Sequence, residues 1–172
     1  MKEQFIDTGQ GTGVSTSTLL PLVHDRDKFE ATIGSSGDPV DAIVYHLFLG
    51  ALDKAEKALD KAVKKGPGPG DFRLRTLAAD IQAERGDYPQ AKAMYRHLLD
   101  ESSGGKREAD LQHHLGQVFF AEKDYNAAAS CFAAALRLHR ISQDSDADIK
   151  ASAIALRHAE DNARRGSTLT PQ

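Results

Sequence analysis

The sequence predicts an all-α fold, a right-handed α-solenoid in which three helix pairs stack and a further helix caps the end. Alanine occurs 25 times, and 24 of these positions follow residue 37. Alanine is the best helix former, and its small side chain lets helices pack closely. The turns between paired helices also recur, since Gly50, Gly86 and Lys123 are 36 and 37 residues apart. A nearly constant period of this length indicates an array of stacked helical repeats.

The first 37 residues have a different composition. Three glycines lie among serine and threonine residues between positions 9 and 18, and such a stretch offers little apolar surface to bury. Leu22, Phe29 and Ile33 fall near helical spacing, so one short helix fits this part of the chain. We therefore predict a flexible segment over residues 1–37 that includes at most this short helix.

The first two helix pairs follow this segment. Asp38 and Pro39 are typical of a helix start, because the Asp side chain caps the first turn and proline tolerates the first helical position. Apolar residues at spacings of three and four then define two helices in each pair. The Gly-Pro run at 66–70 ends the first pair, because proline cannot continue a helix. These features predict pairs over about residues 36–69 and 72–105.

The third pair and the final helix complete the array. A pair is predicted over about residues 109–142, and a single helix over 144–166. Ser145 and Asp148 have the spacing of a capping box at the start of the final helix. Gly166 is placed to end it in the left-handed conformation. The predicted organisation is therefore a flexible segment (1–37), three repeats (38–142), a capping helix (144–166) and a tail (167–172).

The third pair carries the most specific pattern. Leu115-Gly116 is followed by Phe119, three positions after the glycine, and then by Ala128 and Phe132. The distance of twelve residues recurs in every pair, from 43 to 55, from 79 to 91 and from 116 to 128. In these features the chain resembles the tetratricopeptide repeat family, whose repeat is a helix–turn–helix unit of about 34 residues. Because helices approach closely only at Gly or Ala, we expect Gly116 and Ala128 to meet, with Phe132 beside them.

The resemblance implies a protein-interaction scaffold that binds its partner on a concave face, formed by the first helix of each pair. The residues that we expect to contact a partner there are Val44, Phe48, Arg73, Thr76, Leu77, Asp80, Glu84, Asp110, His113, His114, Gln117 and Phe120. The family's best-known binding mode is a clamp of Lys, Asn and Arg around a C-terminal carboxylate. Its positions correspond here to Val40, Val44, Leu77, Asp110 and His114. The basic clamp is absent, so this mode is disfavoured.

Composition and motifs argue against several other functions. The net charge of −3 and the pI near 6.1 disfavour a nucleic-acid binder, and no apolar run is long enough to span a membrane. The single cysteine, Cys131, excludes an internal disulfide framework and is expected to pack in the core. His113 and His114 are adjacent and point about 100° apart on a helix, so we do not expect a metal site there. We expect no catalysis, cofactor or metal.

The sequence therefore predicts a non-catalytic scaffold, monomeric or homodimeric, that binds a peptide or helix of a partner protein in the concave groove. Nucleic acid and membrane are not expected partners. The alternative is a self-assembly element, whose groove is filled by another copy of the chain or by its own N-terminal segment around residues 19–33. The cytoplasm is the expected location, because no secretion signal is recognisable.

Overall fold

A computed structural model describes residues 5–16, 19, 21–66, 68, 70–102 and 105–168. A small sheet comes first, and helices follow it. The elements in chain order are β1 (Phe5–Gly9), β2 (Thr12–Ser15), β3 (Pro21–Val23), α1 (Arg26–Phe29) continued by a π-helical turn (Glu30–Gly34), α2 (Pro39–Phe48), α3 (Leu52–Lys65), α4 (Phe72–Glu84), α5 (Tyr88–Asp100), α6 (Gly105–Ala121), α7 (Tyr125–Ile141) and α8 (Asp146–Thr168).

Helices α2 to α7 pack as three pairs, α2 with α3, α4 with α5 and α6 with α7, and α8 packs on α7. The first helices of successive pairs also touch, α2 with α4 and α4 with α6. The core extends between pairs as well as within them. In one cluster, Tyr95 and Leu98 of the second pair pack with Leu111 and Leu115 of the third. The predicted all-α solenoid of three pairs and a capping helix is confirmed.

The twelve-residue spacing ends on a buried alanine in each pair. Ala55, Ala91 and Ala128, the equivalent alanines of the three second helices, are all 0% exposed. A Cβ atom built on Gly116 would lie 2.7 Å from two ring atoms of Phe132, which is also fully buried. The glycine therefore makes room for the phenylalanine ring, as the sequence predicts.

Local signals set the helix starts. The side chains of Asp38, Asp71, Asp87 and Asp124 each accept a hydrogen bond from a backbone amide in the first turn of the helix that follows. These bonds satisfy amides that have no partner within the helix. The predicted cap of α8 is present as well. Ser145 Oγ accepts from the Asp148 amide at 3.2 Å and donates to the Asp148 carboxylate at 2.8 Å.

The predicted end of the capping helix is wrong. Helix α8 continues through Gly166 to Thr168, and Gly166 does not adopt the left-handed conformation of a helix end. The last four residues of the predicted tail, 169–172, lie outside the described residues.

The N-terminal segment differs from the expectation, because its described residues form an antiparallel sheet of order β1-β2-β3. The turn between β1 and β2 uses Gln10 and Gly11, whose φ angles are 53° and 82°. Two successive positive φ angles suit the twist of a hairpin. The Gly11 carbonyl accepts hydrogen bonds from the amides of His24 at 3.0 Å and Asp25 at 3.1 Å. The glycine-rich composition therefore serves a turn and close packing here.

The N-terminal segment is attached to helices at both ends of the array. Phe29 is 0% exposed and stacks on Tyr45 of α2, with 5.3 Å between the ring centroids. Tyr45 Oη donates to the Glu30 carboxylate at 2.9 Å. Strand β3 contacts α2, whereas β1 contacts α8. The sheet thus reaches from the first helix pair to the capping helix.

Candidate functional site

A cavity of about 580 Å³, which we call the groove cavity, lies against the first helices of the three pairs. Its walls come from the first helix of every pair, from α5, α7 and α8, and from the N-terminal sheet. The residues that line it are Thr8, Gly13, Val14, Pro21, Val44, Leu47, Phe48, Leu77, Asp80, Ala83, Glu84, Tyr88, Tyr95, Asp110, His113, His114, Gln117, Val118, Ala121, His139, Ala147, Asp148 and Ala151.

Most of the partner-binding residues that the sequence predicts line this cavity. Those that do are Val44, Phe48, Leu77, Asp80, Glu84, Asp110, His113, His114 and Gln117. Helical periodicity explains the agreement, because residues three or four apart lie on one face of a helix. Their contact with a partner stays a prediction.

Arg73, Thr76 and Phe120 do not line the groove cavity. Arg73 is exposed elsewhere on α4, and Thr76 Oγ1 donates to the backbone carbonyl of Phe72 at 3.0 Å. The ring of Phe120 lies edge-on to Tyr125, with centroids 5.3 Å apart, and packs with the cluster of α7 and α8. Ala121 occupies the cavity-lining position instead. The resemblance had placed Arg73 and Thr76 on this face. Phe120 was placed three residues after Gln117, and repeated steps of three drift off one face of a helix with 3.6 residues per turn.

Asp80 joins three helices at the centre of the groove cavity. The buried Tyr95 of α5 donates its hydroxyl to Asp80 Oδ1 at 2.6 Å. His114 Nδ1 of α6 lies 3.2 Å from the same oxygen. Burial, with the charge of Asp80, raises the pKa of Tyr95 well above its usual value, so the phenol keeps its proton and remains a donor. This network fixes the carboxylate of Asp80 in position.

Two further carboxylates have unfavourable surroundings. Loss of water around Glu84, and then the charge of Asp80, raise the pKa of Glu84. Burial also raises the pKa of Asp110, although Lys106 Nζ lies 3.6 Å from Asp110 Oδ1. Asp148 has a closer cation, because the same Nζ lies 2.6 Å from its Oδ2. The groove cavity therefore holds negative charge that the chain only partly compensates.

His113 connects α6 to α8. Its Nδ1 lies 3.0 Å from Ser152 Oγ, a hydroxyl that is 0% exposed, and its ring packs on Phe132 at a centroid distance of 5.3 Å. Burial lowers the pKa of His113 to about 3, so the ring is neutral at physiological pH. His113 therefore holds the capping helix in place as well as lining the cavity.

The sheet contributes cavity residues that are not among the predicted partner contacts, although Pro21 lies in the segment that the alternative places in the groove. Thr8, Gly13, Val14 and Pro21 all line the groove cavity. Gln117 Nε2, from the floor of the groove, donates to the Leu19 carbonyl at 2.8 Å. Leu19 itself is 3% exposed, against Ala128, Phe132, Ala155 and Ala159. The signal that points to the hairpin is Gln10-Gly11, a two-residue turn with glycine in second place.

Other types of site find little support in the described part of the chain. No group of three His, Cys, Asp or Glu side chains there is arranged to hold a metal ion. None of its helices combines the length and the apolar character that crossing a membrane requires. Burial raises the pKa of Cys131 to about 11, which keeps the thiol protonated and weakly nucleophilic.

Comparison with known proteins agrees with the repeat packing. Residues 109–140 match the family model described as tetratricopeptide repeat. Intraflagellar transport protein 70A of Bos taurus is 41% identical over 68 residues, 38% of this chain and 10% of that protein. Intraflagellar transport protein 70B of Bos taurus is 32% identical over 110 residues, 58% of this chain and 17% of that protein. For 70A of Homo sapiens the identity is 31% over 111 residues, with the same two coverages of 58% and 17%.

The chain thus spans less than a fifth of the length of these relatives. No solved structure matches it. The repeated helix pairs and the buried alanines at equivalent positions agree with the family match, which places a tetratricopeptide repeat at residues 109–140.

Proposed function

We propose that the chain is a non-catalytic scaffold that binds a peptide or helix of a partner protein in the groove cavity. The observation that carries this proposal is the continuity of the cavity across α2, α4 and α6, the first helices of all three pairs. A site built from three repeats can contact an extended segment at several points. Such arrays present their concave surfaces for this kind of binding.

The chemistry of the lining supports a polypeptide ligand. Val44, Leu47 and Leu77 offer apolar contacts, whereas Asp80, Gln117 and their neighbours offer polar groups. A cavity of about 580 Å³ accommodates one or two large side chains, and binding sites commonly have about 300–1,000 Å³. The relatives, which are named as transport proteins, also support an interaction role.

The proposal is tested by obstructing the groove without disturbing the core. Ala121 is exposed and lines the groove cavity, whereas Ala133 is exposed on α7 and does not line it. Proteins captured from cell extract by wild-type protein, Ala121→Trp and Ala133→Trp are compared by mass spectrometry. A candidate partner is then purified and titrated against all three. The proposal expects Ala121→Trp to lose at least tenfold in affinity and Ala133→Trp to bind like wild type. Equal binding by both variants would reject the groove as the site.

A second candidate function is self-occupation, in which the groove is filled by the chain's own N-terminal segment or by another copy. The sheet favours the first form, because four of its residues line the groove cavity and Leu19 is hydrogen-bonded to Gln117. In this case the sheet competes with an external partner. A mass in solution corresponding to one chain would exclude the form that needs a second copy.

A matched pair of glycine variants tests the intramolecular form. Gly11→Val introduces a β-branched residue at a φ of 82° and pushes Cβ to 2.8 Å from the Phe29 amide nitrogen, so it disrupts the hairpin. Gly37→Val is the control, because nothing lies within 4 Å of a Cβ atom there. Self-occupation predicts that Gly11→Val binds the partner several-fold more tightly than Gly37→Val. Equal affinities would contradict it.

A further inference from the structure

We infer that the segment bound in the groove cavity presents a basic side chain, Lys or Arg, to Asp80, Glu84 and Asp110, with apolar residues on either side of it. This inference rests on the proposed function and adds the chemical class of the partner. It makes charge the main determinant of which segments the groove accepts.

The first step is the charge of the lining. Among the described residues that surround the groove cavity there are four carboxylates and no Lys or Arg. Lys106 Nζ lies 2.6 Å from Asp148 and 3.6 Å from Asp110, so these two carboxylates share one cation. With four carboxylates and this single neighbouring lysine, the described lining keeps an excess of negative charge beside its apolar walls. A cation that enters the cavity is therefore attracted, and a C-terminal carboxylate is repelled.

The second step is the arrangement of these carboxylates. Asp80 and Glu84 are four residues apart on α4, a spacing at which like charges repel and destabilise a helix. Two groups on neighbouring helices contact Asp80: Tyr95 of α5 donates to it, and His114 of α6 lies 3.2 Å from it. His139 of α7 lies 4.0 Å from Asp110.

The third step is the apolar surface next to the charges. Val44, Leu47 and Leu77 line the same cavity. The aliphatic stem of Lys or Arg packs on apolar residues while its charged end reaches a polar group. A segment with one basic residue between apolar residues thus satisfies both parts of the lining.

Selection from a random peptide library is the first experiment. Peptides are selected on the full chain, and those that also bind Ala121→Trp are discarded, which leaves groove-dependent binders. The inference expects Lys or Arg to be enriched at one position flanked by apolar residues. Groove-dependent peptides without this enrichment would overturn the inference and leave the proposed function intact. If no peptide depends on the groove, both fail.

Charge-neutral replacements provide the second experiment. In a selected peptide, Arg is replaced by citrulline, which keeps the shape without the charge, or Lys by norleucine. The double variant Glu84→Gln, Asp110→Asn removes the charges on the protein side, and Glu160→Gln, an exposed position on α8 outside the cavity, is the control. We expect each neutralisation to weaken binding at least tenfold, and the two together to weaken it no further. Unchanged affinity in the double variant would refute the assignment.

Discussion

At the scale of single residues, the structure shows that the same residue type serves opposite purposes at different positions. Gly116 and Gly166 both lie inside helices. A Cβ atom on Gly116 would collide with the ring of Phe132, whereas one on Gly166 would meet nothing within 4 Å. Glycine costs a helix interior about 1 kcal/mol relative to alanine, so only Gly116 has a packing reason to be glycine.

Substitution by alanine should therefore have opposite effects at the two positions. Gly116→Ala is expected to lower the free energy of unfolding by about 1–2 kcal/mol, because overpacking of about 1–3 kcal/mol exceeds the gain in helix propensity. Gly166→Ala is expected to be neutral or slightly stabilising. Urea denaturation followed by circular dichroism measures both. A stabilised Gly116→Ala variant would show that Phe132 is free to move.

At the scale of elements, the three helix pairs share one turn geometry, although the third pair has lysine where the first two have glycine. The turns after α2, α4 and α6 each have a residue with positive φ at Gly50, Gly86 and Lys123. In each turn the following amide bonds back to a carbonyl five residues earlier, as from Asp124 to Phe119 at 2.9 Å. Lys123 thus adopts a conformation that glycine adopts without steric cost.

Replacing Lys123 by glycine should stabilise the third pair. A non-glycine residue in the left-handed region costs about 1–2 kcal/mol, and part of this gain is offset by the greater freedom of glycine in the unfolded chain. The expected net gain for Lys123→Gly is about 0.5–1 kcal/mol, seen as a higher Tm. The reciprocal change Gly86→Ala, at a φ of 81°, should lower the Tm. If the two changes shift the Tm in the same direction, the turns are not equivalent.

At the scale of the whole molecule, His113 links stability to pH. Its pKa is about 3 in the folded protein and near 6.5 in a free chain. Between these values the unfolded state binds the proton and the folded state does not, so stability falls as the pH drops below about 6.5. Burial lowers the pKa of His46 and acts in the same direction. The raised pKa values of Glu84 and Asp110 act oppositely, but at lower pH, nearer the ordinary carboxyl range.

The pH effect is measured from denaturation curves between pH 7 and pH 5. The free energy of unfolding should fall with a slope that approaches about 1.4 kcal/mol per pH unit for His113 alone. His113→Asn is expected to flatten that dependence, whatever its effect on stability at pH 7. A variant with the same slope as wild type would mean that other groups carry the acid sensitivity.

The helices were predictable and the sheet was not, for a physical reason. Helix starts depend on near neighbours, such as Asp87 and the Gln90 amide, so the sequence shows them directly. The strands are only three to five residues long. Leu19, between β2 and β3 in the chain, bonds to Gln117, a partner 98 residues away that no local pattern reveals. The face of each first helix was predictable from periodicity. The orientation of Phe120 away from the groove cavity was not predictable, because it depends on packing with α7 and α8.

The contact of the sheet with both α2 and α8 also changes how the array should respond to force and heat. In an open solenoid each repeat contacts only its neighbours. A terminal repeat is therefore held on one side only, and we expect it to separate first. Here the N-terminal strands contact both α2 and α8, so the sheet connects the two ends of the array. Separation at either end then requires the loss of the strands as well. We expect the molecule to resist stretching until it unfolds in a single step, without fraying from its ends.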